Sequence, residues 1–148
     1  RASGARIMLI SDGDVSGVIA TSEPNSGVDI YIGSGGAPEG VLAAAALRCI
    51  GGFMQGRLMF RNDDERGRAA KWGIDDLNRK YELLDLASGN VMFAATGVTD
   101  GAMVDGVRRF AHGATTYSIV MRSKTGTIRR IETQHNFDMK SGFDPMDS

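Results

Sequence analysis

Cysteine is nearly missing from this chain: among 148 residues there is one, Cys49. A lone thiol closes no internal disulfide, which excludes a small disulfide-stapled domain and fits a reducing compartment. Proline is scarce too, at three residues, and there is no repeat and no low-complexity stretch. An excess of one charge sign is also lacking. Seventeen Lys and Arg stand against eighteen Asp and Glu, a formal net charge of −1, and the basic residues are spread along the chain. A nucleic-acid binder carries a basic patch or stripe, and none is visible. No apolar run approaches the length that crosses a membrane, and no signal peptide opens the chain. These absences point to a cytoplasmic protein that binds neither nucleic acid nor membrane. The chain opens Arg1-Ala2-Ser3 without methionine and soon enters an apolar run. That start reads as the interior of a longer polypeptide, although removal of a tag would give the same one.

What is present is the composition of a globular domain, 42% hydrophobic and 24% charged. The length suffices for one domain with a real core. Glycine is the outlier, with twenty residues. Many sit at the ends of apolar runs, where they suit tight turns and close backbone approach rather than flexible linkers.

Residues 6–10 (RIMLI) form a nearly continuous apolar run, the pattern of a strand covered on both faces. It ends at the turn cluster Ser11-Asp12-Gly13-Asp14, and a short helix is expected over residues 15–21. A second strand is expected over 28–32 (VDIYI), running straight into Gly33-Ser34-Gly35-Gly36-Ala37-Pro38-Glu39-Gly40. The clearest helix spans 38–50. Pro38 suits its first position, because its fixed φ is helical and its missing N–H would be unpaired anyway. Val41, Leu42, Ala45, Ala46, Cys49 and Ile50 make an apolar stripe, and the opposite side is nearly as apolar, so burial between layers is expected. Gly51-Gly52 ends it.

Further on, a strand is expected over 53–60, a charged and solvated helix over 62–72, and an extended connection with some helix over 77–86. Residues 91–95 (VMFAA) read as another buried strand, followed by Thr96-Gly97-Val98-Thr99-Asp100-Gly101. Residues 115–122 and 127–136 read as a hairpin around Ser123-Lys124-Thr125-Gly126. The eight methionines read as core filler. The whole is one mixed α/β layered domain with a polar tail over 138–148.

Ligands collect outside the carboxyl ends of strands in open α/β sheets. Three such ends carry glycine with hydroxyl or carboxylate residues: DGDV, GSGGAPEG and ATGVTDG. At residues 33–40, four glycines allow φ > 0 and leave backbone N–H groups uncovered, a cradle for phosphate oxygens at a helix start. Glu39, in the first turn of that helix, either complements the macrodipole or ligates a hard cation such as Mg²⁺ or Mn²⁺. The likeness to a dinucleotide fingerprint is poor, since Pro38 takes the place of the third glycine. Asp12-Gly13-Asp14 is either an Asx turn with Asp14 capping the next helix, or a pair of carboxylates for sugar hydroxyls or a metal. His112 and His135 have no metal-ligand spacing, and no serine or cysteine nucleophile has a partner pattern.

Taken in order, GARIMLISDGDV, VDIYIGSGGAPEGVLAAAALRCIGG, MFAATGVTDG and ATTYSIVMRSKTGT resemble the class II fructose-1,6-bisphosphatases of bacteria, over residues 4 to about 137. Some cyanobacterial members also act on sedoheptulose 1,7-bisphosphate. The resemblance implies the metal-dependent, lithium-sensitive sugar phosphatase fold, with residues 1–137 as its C-terminal α/β part. It implies hydrolysis of the 1-phosphate of fructose 1,6-bisphosphate to fructose 6-phosphate, with Mn²⁺ or Mg²⁺, in gluconeogenesis, by a homo-oligomer. Where residues match, Asp12, Gly13, Asp14 and Gly36 would contact the sugar phosphate and Glu39 would be a metal ligand. The family's other metal carboxylates lie before Arg1. The resemblance therefore makes this chain a C-terminal half, with no catalytic residue of its own, that partners a missing N-terminal half. A non-catalytic sugar-phosphate-binding module and a dinucleotide-binding domain are the competing readings.

Overall fold

The computed structural model describes residues 2–140. Residues 141–148, most of the expected polar tail, lie outside the described residues, and Phe137–Met139 form a short 3-10 helix.

Two helices open the chain: α1 (Asp14–Ala20) and α2 (Ala37–Ile50). Helix α2 begins one residue before its expected start and ends as read, with Gly51 at φ 85° as its left-handed cap. Strand β1 (Gln55–Arg57) pairs antiparallel with β2 (Lys80–Glu82), which leads into the one-turn helix α4 (Leu83–Leu86). Between them, α3 (Asp63–Lys71) starts at Asn62, whose side-chain oxygen accepts the Glu65 N–H at 2.9 Å. A second, four-stranded antiparallel sheet holds β3 (Met92–Thr96), β4 (Arg108–Phe110), β5 (Gly113–Arg122) and β6 (Thr127–Asn136). The long hairpin β5–β6 is the one the sequence indicates. Strand β5 is central, with β6 along one edge and β3 and β4 along the other.

The core sits between this sheet and the first two helices. Register sets Phe93 opposite Met121 and Ala95 opposite Ile119, so these four share one face. That face meets Ile19 of α1 and Ala46 and Cys49 of α2. Burial pushes the Cys49 thiol above its ordinary pKa, as suits a packing residue. Val18, Ala43 and Leu47 form a second cluster, joined by Tyr31, Met54 and Leu83.

Five expectations need correction. Residues 6–10 and 28–32 have no regular secondary structure and belong to no ladder among the described residues, and Leu9, Ile30 and Ile32 are 90%, 73% and 87% exposed. A strand needs a partner for its N–H and C=O groups, and no described segment forms a ladder with these two. The expected strand over 53–60 shrinks to three residues for the same lack of a partner. In β3 only Phe93 is buried and Met92 is exposed, because one face of this sheet packs on helices while the other stays open. The methionines are mostly not core: Met121 is buried, whereas Met8, Met59, Met92 and Met139 are exposed. Helix α2 is likewise covered only in part, with Val41 and Leu42 about half exposed.

This uneven cover is testable in the 148-residue chain. Leu47→Ala should cost about 2–5 kcal/mol in urea denaturation, because Leu47 is fully buried. Leu42→Ala should cost less than about 1 kcal/mol, because Leu42 is about half exposed. Equal losses at both positions would contradict this packing.

Candidate active site

The turn before α1 and the turn before α2 meet in space. Gly13 caps α1 at φ 85°, a left-handed conformation that glycine adopts without strain. Its N–H donates to the Asp12 carboxylate at 2.7 Å, and the Ser16 hydroxyl donates to its carbonyl at 2.8 Å. Asp14 is therefore the first helical residue and not the cap, contrary to the Asx-turn alternative. One Asp14 oxygen, Oδ1, accepts the Tyr31 hydroxyl at 2.7 Å. The other, Oδ2, lies against the second turn: a Cβ added to Gly35 would stand 2.6 Å from it.

The second turn keeps its glycines for a reason other than the one expected. None of Gly33, Gly35, Gly36 and Gly40 has positive φ, and Gly36, the cap of α2, is extended at φ −68° and ψ 149°. What a side chain would violate is space. A Cβ at Gly33 would strike the Tyr31 hydroxyl, and a Cβ at Gly36 would strike Oε2 of Glu39. The Glu39 carboxylate thus folds back over the start of its own helix. It takes no hydrogen bond or ion pair from the described residues.

The two helices begin at the same end, where Asp14 faces Gly35. They also finish together, since a Cβ at Gly52 would meet Ser22 Oγ at 2.5 Å. Helix starts carry unpaired N–H groups and partial positive charge, so this end combines anion-attracting backbone with the carboxylates Asp12, Asp14 and Glu39. The face is exposed and shallow. Two cavities lie elsewhere: one of about 450 Å³ is lined by Met103, Tyr117, Arg130 and Glu132, among others, and one of about 280 Å³ by Thr21, Glu23, Ser26 and Asp29, among others. Neither includes Asp12, Gly13, Asp14, Gly36 or Glu39.

Among the described residues, no group of three or more His, Cys, Asp or Glu converges where a metal could be held. The chemistry of Glu39, a free and exposed carboxylate oxygen pair, suits one ligand of a hard cation. The remaining ligands of such a cation have no source in these residues. His112 faces Asp138 at 3.4 Å, and His135 bonds Thr116 and Lys140, so both histidines have partners other than a metal.

The third glycine-rich end, ATGVTDG, is structural. No helix follows it; it loops from β3 to β4. Asp100 grips Arg108 at 2.7 and 3.0 Å and accepts the Gly106 N–H at 2.9 Å. Those bonds, the guanidinium first, hold its carboxyl below the ordinary aspartate pKa. Sequence reasoning missed Tyr31, which it treated as one more apolar residue of a strand. The available signal was a phenol two residues before a glycine run, placed where a buried strand has no use for a hydroxyl.

Fold and site together define a mixed α/β protein with a glycine-and-carboxylate face at paired helix starts. The family described as "Bacterial fructose-1,6-bisphosphatase, glpX-encoded" matches residues 1–135, and the chain belongs to that family. It is 40% identical over 158 aligned positions to the "D-fructose 1,6-bisphosphatase class 2/sedoheptulose 1,7-bisphosphatase" of Synechococcus sp. (strain JA-3-3Ab), covering 98% of this chain and 45% of the relative. With the protein of the same name from Synechococcus elongatus (strain ATCC 33912 / PCC 7942 / FACHB-805) the identity is 42%, over 93% of this chain and 44% of the relative. The chain thus spans about half the length of the curated relatives it matches. No helix among the described residues is long and apolar enough to cross a membrane.

Glu39→Gln should leave stability nearly unchanged. Only a helix-terminus charge is at stake, about 0.3–1 kcal/mol, and urea denaturation reads it. A loss several times larger would show Glu39 to be part of the scaffold instead.

Proposed function

We propose that the complete protein hydrolyses the 1-phosphate of fructose 1,6-bisphosphate, giving fructose 6-phosphate and phosphate in cytoplasmic sugar-phosphate metabolism. This chain supplies part of the substrate site and one ligand of the metal site. The observation that carries the reading is the meeting of the two turns, Asp14 against Gly35 and Glu39 over Gly36, in a chain of this family. The lithium-sensitive phosphatase fold and homo-oligomeric assembly belong to the same proposal.

In this reading Asp12 and Asp14 accept hydrogen bonds from sugar hydroxyls, and the backbone at Gly13 and Gly36 lies against the sugar phosphate. Glu39 holds Mn²⁺ or Mg²⁺ together with carboxylates from outside this chain. A divalent cation there supplies Lewis-acid polarisation of the phosphoryl group and lowers the pKa of water. The missing half also covers the apolar surface that Leu9, Ile30 and Ile32 leave open. The relatives' printed names support sedoheptulose 1,7-bisphosphate as a second substrate. A dinucleotide-binding domain fits less well, because the described residues hold no parallel pair of strands.

Phosphate release from fructose 1,6-bisphosphate with Mn²⁺ tests the proposal. The 148-residue chain alone should be inactive, and adding the other half of the enzyme, fused or in trans, should restore turnover. Robust turnover by the chain alone would refute the division of the site. In the complete enzyme, Glu39→Ala should all but abolish activity with the fold intact. Asp12→Asn should lower kcat/KM about tenfold or more, the equivalent of roughly 1.4 kcal/mol. Unchanged kinetics in the Asp12 variant would leave that residue a turn former.

A further inference from the structure

We infer that Tyr31 is a positioning residue for substrate binding: its hydroxyl fixes the Asp14 carboxylate so that Oδ2 faces the glycine-rich turn before α2. This rests on the function proposed above. The hydroxyl donates to Oδ1 of Asp14 at 2.7 Å, a bond to an ionised acceptor across seventeen positions of sequence. With Oδ1 taken, the lone pairs of Oδ2 are left for a ligand, on the side where Gly35 has no side chain.

The phenol is itself held firmly. Its ring packs on the Val18, Ala43 and Leu47 cluster. Gly17 of α1 makes room for one ring edge, where an added Cβ would come 3.1 Å from Cε2 and 3.0 Å from Cδ1 of Ile10. Gly33 makes room for the hydroxyl end, where an added Cβ would stand 2.6 Å from Cζ. Three glycines therefore surround the pair, Gly17 and Gly33 for the phenol and Gly35 for the carboxylate. Neighbouring Ile30 and Ile32 are exposed, whereas Tyr31 between them is half-buried. The bond to Asp14, then burial, raise the phenol above the ordinary tyrosine pKa, so it stays protonated as a donor at neutral pH.

An aspartate side chain at the first position of a short, half-buried helix has several rotamers open to it when nothing holds it. Holding it in the binding rotamer before substrate arrives lowers the ordering cost of binding, which appears in KM rather than in the chemical step.

The test uses the complete enzyme with Tyr31→Phe, Asp14→Asn and the double variant. Tyr31→Phe keeps the ring and removes only the hydroxyl. It should raise KM for fructose 1,6-bisphosphate about three- to tenfold, with kcat within about twofold and the melting temperature unmoved. In the double variant, losing the hydroxyl should add nothing to the KM of Asp14→Asn, since the group it positions is already altered. A wild-type KM in Tyr31→Phe, or multiplying effects in the double variant, would overturn the assignment. A melting temperature that falls while KM holds would make Tyr31 a packing residue only, and equally overturn it. A second readout needs no substrate: phenol ionisation, assigned to Tyr31 by its loss in Tyr31→Phe, should move down toward the ordinary value in Asp14→Asn. If the complete protein hydrolyses no sugar bisphosphate, the proposed function fails and the phenol titration alone decides the pairing. An unmoved titration would refute it.

Discussion

Helix α2 packs at once against α1 and against the four-stranded sheet, and the small residues along it decide how near each can come. Ala43, Ala44 and Ala46 are all but fully buried, so backbone meets backbone with little side chain between. Larger residues there would push the layers apart, since packed interiors leave no slack for extra methylenes. The approach has a consequence for the chemistry. Because α1 and α2 lie side by side and begin at one end, the turn that precedes each is carried to the other. Asp14 reaches Gly35 only on this condition.

The elements legible in the sequence are those whose causes are local. Helix α2 is announced by its alanine content and closed by Gly51, whose left-handed φ a glycine supplies cheaply. Helix α3 is announced by Asn62 and three acids in its first turn. The β5–β6 hairpin has alternating residues joined by a short turn. Family membership was legible as well, carried by DGDV and GGAPEG in their order. What escaped was non-local. The runs at 6–10 and 28–32 have the composition of strands, but a ladder is a property of two segments, and these find no second among the described residues.

The candidate site divides along the same line. Asp12, Asp14, Gly36 and Glu39 could be picked out singly, as acids and glycines at turns. Their mutual placement could not, nor could the reason for the glycines. A glycine-rich turn suggests left-handed backbone angles, yet none of residues 33–36 has a positive φ. Their lack of Cβ admits three side-chain groups: the Tyr31 hydroxyl at Gly33, the Asp14 carboxylate at Gly35 and the Glu39 carboxylate at Gly36. The pattern reads the same in sequence whether glycine serves conformation or clearance. Only the fold separates the two.

That distinction decides which side chains at this face are held by the chain itself. A turn stabilised by unusual φ angles would depend on its own backbone, and its geometry would be the same with or without a ligand. A turn kept open for neighbouring side chains depends on those neighbours being held from elsewhere. Asp14 is held by Tyr31, and Tyr31 by the cluster of Val18, Ala43 and Leu47. These anchors are internal to the chain, so the Asp14 arm of the site is organised by the described residues alone. Glu39 has no such anchor, for nothing among them bonds its carboxylate. In the reading proposed here its orientation is set by the cation and by carboxylates from outside the chain, so one side of the site is built in advance and the other is completed on assembly.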